Sequence, residues 1–171
     1  ATVSRIMADR ESDKRVRELA ADDLHHTYLL SGSISEASTS KCMAQLSVWQ
    51  RTDPGCDIEI VINSPGGSII DGMALWDYIQ SVRVKGHKVT TRTIGYAASM
   101  GGILLQAGDH RVMGKESYIL IHEAAFGAGG KMGDVEDTVE WVKKISERIL
   151  DIFAFRSQMT KTQIKNKWRR K

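Results

Sequence analysis

Ile58-Glu-Ile-Val-Ile-Asn-Ser-Pro-Gly-Gly-Ser68 is the stretch on which the fold turns. A β-branched run bounded by Asp57 and by Asn63-Ser-Pro-Gly-Gly67 predicts a strand that ends in a turn. Ser68, with Asp71 three residues later, predicts a capping-box helix start. The helix it opens carries Ile69, Met73, Trp76 and Ile79 on one side and breaks at Gly86. Working outward, Tyr28 to Ile34 reads as a short apolar strand. Glu36 to about Gln50 reads as a helix with Cys42, Leu46 and Trp49 at helical spacing, closed by Pro54-Gly55. Downstream, Lys88 to Ile94 predicts a strand, Gly95 to Gly108 a turn plus a short apolar helix, and Val112-Met113 and Tyr118 to Ile121 two further strands. After a glycine-rich loop, Asp134 is the expected N-cap of a long helix to about Gln158, with Val135, Val139, Val142, Ile149, Ile152 and Phe153 as its apolar stripe. Such a helix should project beyond a compact head. Thr160 or Thr162 is the expected cap of one more short helix. Strands alternating with helices predict right-handed βαβ units, hence an α/β fold with a largely parallel sheet.

The totals fit that reading. With 171 residues, 42% of them hydrophobic and 26% charged, the chain has ordinary globular values and the length of one domain. We divide it into an arm (1–27), a head (28–133), the long helix (134–158) and a C-terminal part (159–171). No apolar run reaches the roughly 18 residues of a membrane span, and no secretory h-region is seen. Cys42 and Cys56 form no CxxC pair. A reduced, cytoplasmic setting with no catalytic thiol is therefore expected. The cations Lys161, Lys165, Lys167, Arg169, Arg170 and Lys171 form a run without an acid. With only Trp168 interleaved, we read it as a solvated helix face or tail rather than a nucleic-acid patch. No HExxH, phosphate loop or Cys/His set is present, so hydrolysis is expected to need no metal and no cofactor.

Three strand ends carry unusual residues, and in open α/β sheets reactive groups gather where strands end and helices begin. The first is Asn63 to Gly67, whose paired glycines can bare backbone N–H groups at a helix start. The second is Gly95-Tyr-Ala-Ala-Ser-Met-Gly-Gly102, a serine among small residues. The third is Ile119-Leu-Ile-His122. Singly, each has an ordinary structural explanation: a turn, an N-cap, a structural histidine. Jointly they supply a nucleophile, a base and N–H donors, the set that acyl transfer requires. The serine spacing G-x-x-x-S-x-G is one residue too long for the hydrolase elbow G-x-S-x-G.

At these residues the sequence resembles the proteolytic subunit of the Clp protease (ClpP) family, from about Tyr28 to the C-terminus. The shared residues are Ile62-Asn-Ser-Pro-Gly-Gly67, Gly72-Met73, Tyr78, Ala97-Ala-Ser-Met-Gly101, Leu104-Leu105, Ala107-Gly108, Ile121-His122 and Asp134. The resemblance implies a ClpP/crotonase-like spiral of ββα units with the long helix as a projecting handle. It implies a serine endopeptidase acting on unfolded or extended polypeptide, with Ser99 as nucleophile and His122 as general base. The N–H groups of Gly67 and Met100 would form the oxyanion hole. Gly66, Ala124, Ala125, Phe126 and Gly127 would bind substrate, which would add as a strand. It further implies homo-oligomeric rings of six or seven subunits that can stack, and a Clp-type ATPase partner.

The sequence also departs from the family. The proline expected two residues after the histidine is absent from His122-Glu-Ala-Ala125, and the N-terminal arm does not match the family's axial loop. Ungapped alignment puts Lys171 where the third triad member, an aspartate, belongs, and the family's closing strand and helix have no counterpart. We therefore expect the acid just beyond this sequence or missing from it. Asp137 and Asp151 are expected to face solvent, and Asp71, Asp77 and Asp109 to serve caps or turns. Three alternatives stay open: a crotonase-type acyl-CoA enzyme, a non-catalytic subunit of a mixed ring, and a phage-type relative that matures capsid scaffold by the same chemistry.

Overall fold

In the computed structural model the residues described are 26–168, together with Arg10, Asp13 and Lys14. Most of the expected N-terminal arm, and the Lys171 position, lie outside them. β1 (Thr27–Ser31), β2 (Ile58–Ser64), β3 (Val89–Ala98), β4 (His110–Met113) and β5 (Tyr118–Leu120) form one sheet, every pair parallel. The sheet order is β1-β2-β3-β4, with β5 also paired to β3. The helices are α1 (Glu36–Thr52), α2 (Ile69–Val84), α3 (Met100–Leu105), α4 (Met132–Arg156) and α5 (Lys161–Trp168). No helix among the described residues is long and apolar enough to cross a membrane. This is the mixed α/β architecture with a parallel sheet that the sequence pattern predicts.

β2 is the central strand, and Ile58, Ile60, Val61, Ile62 and Ser64 are all buried. Burial on both faces is what a near-continuous run of β-branched residues in a parallel sheet requires. Leu46 of α1, Leu75, Ile79 and Val82 of α2, Leu104 of α3 and Leu150 of α4 close over it as one core. Glu59 and Arg92 pair across β2 and β3 at 2.8 Å.

Half of the capping box expected at α2 forms: Ser68 Oγ accepts from the Asp71 N–H at 3.3 Å, while the Ser68 N–H donates to the Ile34 carbonyl instead of the Asp71 side chain. A full capping box is found instead at the start of α1, between Ser35 and Ser38. Thr160 caps α5, with Gln163 reciprocating.

Two local expectations are corrected. α4 starts at Met132 with Lys131 as N-cap, so Asp134 sits inside its first turn, where a carboxylate favours the positive end of the helix. And Gly95 to Ala98 is not a turn but the continuation of β3. Gly95 (φ 65) bends the strand there, and a Cβ at this position would come 2.6 Å from Asn63 Oδ1. Before the bend β3 pairs with β4 through Thr90–Thr93; after it Tyr96–Ala98 pair with β5.

Candidate active site

The bent end of β3 delivers Ser99 directly into α3. The Ser99 N–H donates to the Leu120 carbonyl at 2.8 Å, and its carbonyl accepts from Ile103 N–H at 3.2 Å. Between these two anchors Ser99 takes φ 52 and ψ −122, the only non-glycine among the described residues with positive φ. Such a conformation costs a β-carbon residue about 1–3 kcal/mol and is characteristic of functional positions. The expected N-cap hydrogen bond from its side chain is not made. Its hydroxyl is therefore left free for other chemistry.

Gly66 explains the serine's small-residue surroundings. It is buried at φ +95, and a Cβ added there would lie 2.7 Å from Ser99 Cβ, 2.8 Å from the Ala98 carbonyl oxygen and 3.1 Å from the Met100 nitrogen. The Gly66 N–H is taken up by Ser64 Oγ at 3.0 Å, and the Gly66 carbonyl and Ser68 N–H bond Ile34. The N–H of Gly67 enters none of these bonds. That of Met100, as the first residue of α3, has no acceptor within its helix. These are the two N–H groups that the resemblance assigns to an oxyanion hole.

Ser99 and His122 line the same cavity, with Ile69, Ile103, Ile121, Ala124, Ile149, Phe153 and Trp168 among its walls. It measures only about 10 Å³, roughly the room of one water molecule. Among the described residues the two side chains form no hydrogen bond to each other. Catalytic hydrogen bonds are often long in the absence of substrate. The His122 ring is turned so that Nδ1 meets the Glu123 carbonyl oxygen at 2.7 Å. With the proton on Nδ1 donated to that oxygen, Nε2 keeps its lone pair. Asp151 points away, paired with Lys161 on α5, and the Asp137 residue is exposed.

Of the expected substrate segment, Ala124 lines the cavity. Phe126 instead packs edge-on against Trp141 of α4, ring centroids 5.8 Å apart, tying the segment to the long helix. Ala125 and Gly127 are exposed.

Comparison with known proteins decides the relationship. The profile of the family described as Clp protease matches residues 13–171. This chain belongs to the Clp protease family. It is 36% identical over 145 residues to the ATP-dependent Clp protease proteolytic subunit 3 of Rhodococcus jostii (strain RHA1), covering 81% of this chain and 70% of that protein. It is 34% identical over 142 residues to the protein of the same name from Streptomyces coelicolor (strain ATCC BAA-471 / A3(2) / M145), covering 80% of this chain and 63% of that one. Within the Clp protease family it is a hydrolase of the peptidase class.

Three parts of the site carry no signal in the sequence. The Leu120 and Glu123 carbonyls act through the backbone, which every residue type supplies. Ser64 could have been noticed only as a serine preceding the paired glycines. Burial pushes the Cys42 thiol up to about 12. The basic C-terminal run is partly neutralised within the chain, since Lys161 and Lys165 reach Asp151 and Glu147 of α4.

Proposed function

We propose that this chain is a serine endopeptidase subunit that cleaves extended polypeptide through an acyl-enzyme on Ser99. The observation that carries the reading is the conformation of Ser99 itself, held at φ 52 on one wall of the cavity that His122 also lines. His122 Nε2 takes the Ser99 hydroxyl proton as Oγ bonds the scissile carbonyl carbon. The same nitrogen returns that proton to the leaving amine as the C–N bond breaks, and water then repeats the sequence to free the acid. Gly67 and Met100 N–H groups stabilise the oxyanion, a contribution of about 10²–10³ in rate per donor. A substrate strand pairs beside residues 124–127, main-chain hydrogen bonds supplying affinity. Because the cavity is small, the His122–Phe126 segment or α5 shifts to admit a side chain.

The Nδ1–H of His122 rests on a carbonyl rather than a carboxylate. A carbonyl fixes the tautomer but lacks the charge that stabilises an imidazolium. In trypsin-type enzymes, replacing the triad carboxylate lowers kcat about 10⁴-fold. Acylation by a reactive phosphonate is thus expected to persist where peptide turnover is slow.

The first half of α4 supports assembly into stacked rings. Met132 and Val139, seven residues apart on one face of the helix, are 77% and 44% exposed, apolar surface that a neighbouring subunit would cover. The names of the relatives point to an ATPase partner. The direct test is labelling with a fluorophosphonate: Ser99→Ala should abolish it without altering the circular dichroism spectrum. Undiminished labelling of that variant would remove Ser99 as nucleophile.

A further inference from the structure

The N-terminal ends of the strands, opposite Ser99, gather a set of donors that the peptidase reading does not use. His26 precedes β1, Asp53 closes α1, Cys56 lies in the turn before β2, and His87 lies in the turn between α2 and β3. His26 Nε2 stands 2.9 Å from Asp53 Oδ2. One ligand atom each from His26, Asp53 and Cys56 fall within 4.8 Å of one another. His87 Nδ1 is 3.4 Å from Cys56 Sγ and 3.0 Å from the Cys56 carbonyl oxygen. His26 and His87 are only 5% and 4% exposed, whereas the Asp53 side chain is 56% exposed and leaves a path from solvent.

We propose that His26, Asp53 and Cys56 bind a zinc-class divalent ion, with His87 donating to the sulfur. Imidazole, carboxylate and thiolate together suit a borderline-soft ion, whereas magnesium and calcium take oxygen sets. Bond lengths of about 2.0–2.3 Å at tetrahedral angles put the donors roughly 3.3–3.7 Å apart. The His26–Asp53 contact opens by about half an ångström to match, and separations of up to 4.8 Å in the set close by about an ångström. On binding, the ion displaces the thiol proton to solvent and takes the lone pair of neutral His26. Its two positive charges are then balanced by one carboxylate and one thiolate, so the loaded, half-buried site carries no net charge. His87 Nδ1–H reaches the sulfur and the carbonyl together, the kind of outer partner that orients a ligand. Water completes the fourth position on the Asp53 side. The ion joins the starts of β1 and β2 to the turn that leads into β3. It lies a whole strand away from Ser99, about 30 Å of β3 at 3.3 Å per residue.

The test uses the purified full chain, stripped with a chelator and titrated with Co²⁺ and then Zn²⁺. One Co²⁺ per chain with a near-ultraviolet thiolate-to-cobalt absorption band is expected, and Zn²⁺ should abolish the band and raise the unfolding temperature by mass action. Cys56→Ser should lose both the band and the zinc-dependent shift, while fluorophosphonate labelling of Ser99 stays unchanged. His87→Gln should bind roughly 10–100-fold more weakly. Should His26→Gln fail to fold, Cys56→Ser and Asp53→Asn at the more accessible positions carry the test. Cobalt binding without a thiolate band, or unchanged affinity in Cys56→Ser, overturns the assignment.

Discussion

Gly66→Ala isolates what positions Ser99, the proposed nucleophile, because Gly86 offers a matched control. The two glycines share nearly the same φ, +95 and +96. A Cβ at Gly86 meets nothing within 4 Å, whereas at Gly66 it meets Ser99 Cβ at 2.7 Å, the Ala98 carbonyl oxygen at 2.8 Å and Met100 N at 3.1 Å. Alanine at either position carries the left-handed strain, about 1–2 kcal/mol. Only at position 66 is there a clash as well, and two of its partners are backbone atoms while the third is one bond from backbone. No rotamer relieves it. Overpacking of this kind adds about 1–3 kcal/mol. Gly86→Ala should therefore lose about 1–2 kcal/mol and Gly66→Ala about 2–5. At about 2–4 °C per kcal/mol for a domain of this size, scanning calorimetry resolves the difference. The kinetic consequence is larger. Displacing Ser99 and the Met100 N–H by a fraction of an ångström to an ångström should slow acylation about 100-fold, since misplacements of that size and loss of an oxyanion donor each cost about that much. Gly86→Ala should label at the parent rate. If the two variants melt together and label equally fast, contact between Ser99 and position 66 does not hold the nucleophile, and the argument built on it fails.

Two further outcomes follow from the same structure. Ser99→Gly should melt about 2–4 °C above Ser99→Ala: both lose the hydroxyl, but only glycine relieves the strain at φ 52, about 1 kcal/mol. Equal melting points would mean that the serine is not strained. Asp109 is partly desolvated, which opposes its charge. Hydrogen bonds from Arg83 and the Val89 N–H, with the Arg83 charge, nonetheless hold its carboxyl below the ordinary 3.8. Because the folded value is the lower one, its stabilisation is present above that ordinary value and is lost as pH falls through the folded value. Its side chain is 34% exposed, which limits the effect to about 1 kcal/mol. Asp109→Asn should lower the melting point at neutral pH and narrow its gap to the parent protein in acid. A gap that does not change with pH would exclude the charge as its cause.

The strand–turn–helix order from Ile58 to Gly86 was legible because hydrophobic period and punctuation agree there: β-branched residues, then Pro65-Gly66-Gly67, then a Ser68 cap. The continuation of β3 through Gly95 was not, because a glycine within a tyrosine- and alanine-containing stretch reads locally as a turn. Ser64 of β2, paired with Ala97, and β5, 20 residues later, supply the partners that keep it extended. Ser99 and His122 were legible as residues and as a resemblance, but their shared cavity is a tertiary fact. The carbonyls that hold them are invisible to any reading of side chains. The start of α4 was misplaced for a related reason: Asp134 is a good cap chemically, yet the chain turns helical two residues earlier. The cluster of His26, Asp53, Cys56 and His87 escaped linear motifs because its donors come from three separate connections.

A parallel sheet sends every chain reversal to one of two ends, and this chain uses them differently. At the C-terminal ends, the bend at Gly95 releases β3 from β4 and passes it to β5. That exchange places the Leu120 carbonyl on the Ser99 N–H and leaves His122 two residues farther along, at the same edge. The proposed Ser99–His122 pair is thus brought to one edge by a change of strand partner rather than by a local sequence signature. At the N-terminal ends no strand changes partner, and the connections converge on buried imidazoles around a thiol. Strain at Ser99 requires a scaffold that does not yield, because a residue held at positive φ would otherwise relax. An ion binding the strand starts raises the free energy of unfolding without touching the cavity. Stability and reactivity are thereby separated along the length of the same strands, and either end can be altered with little effect on the other.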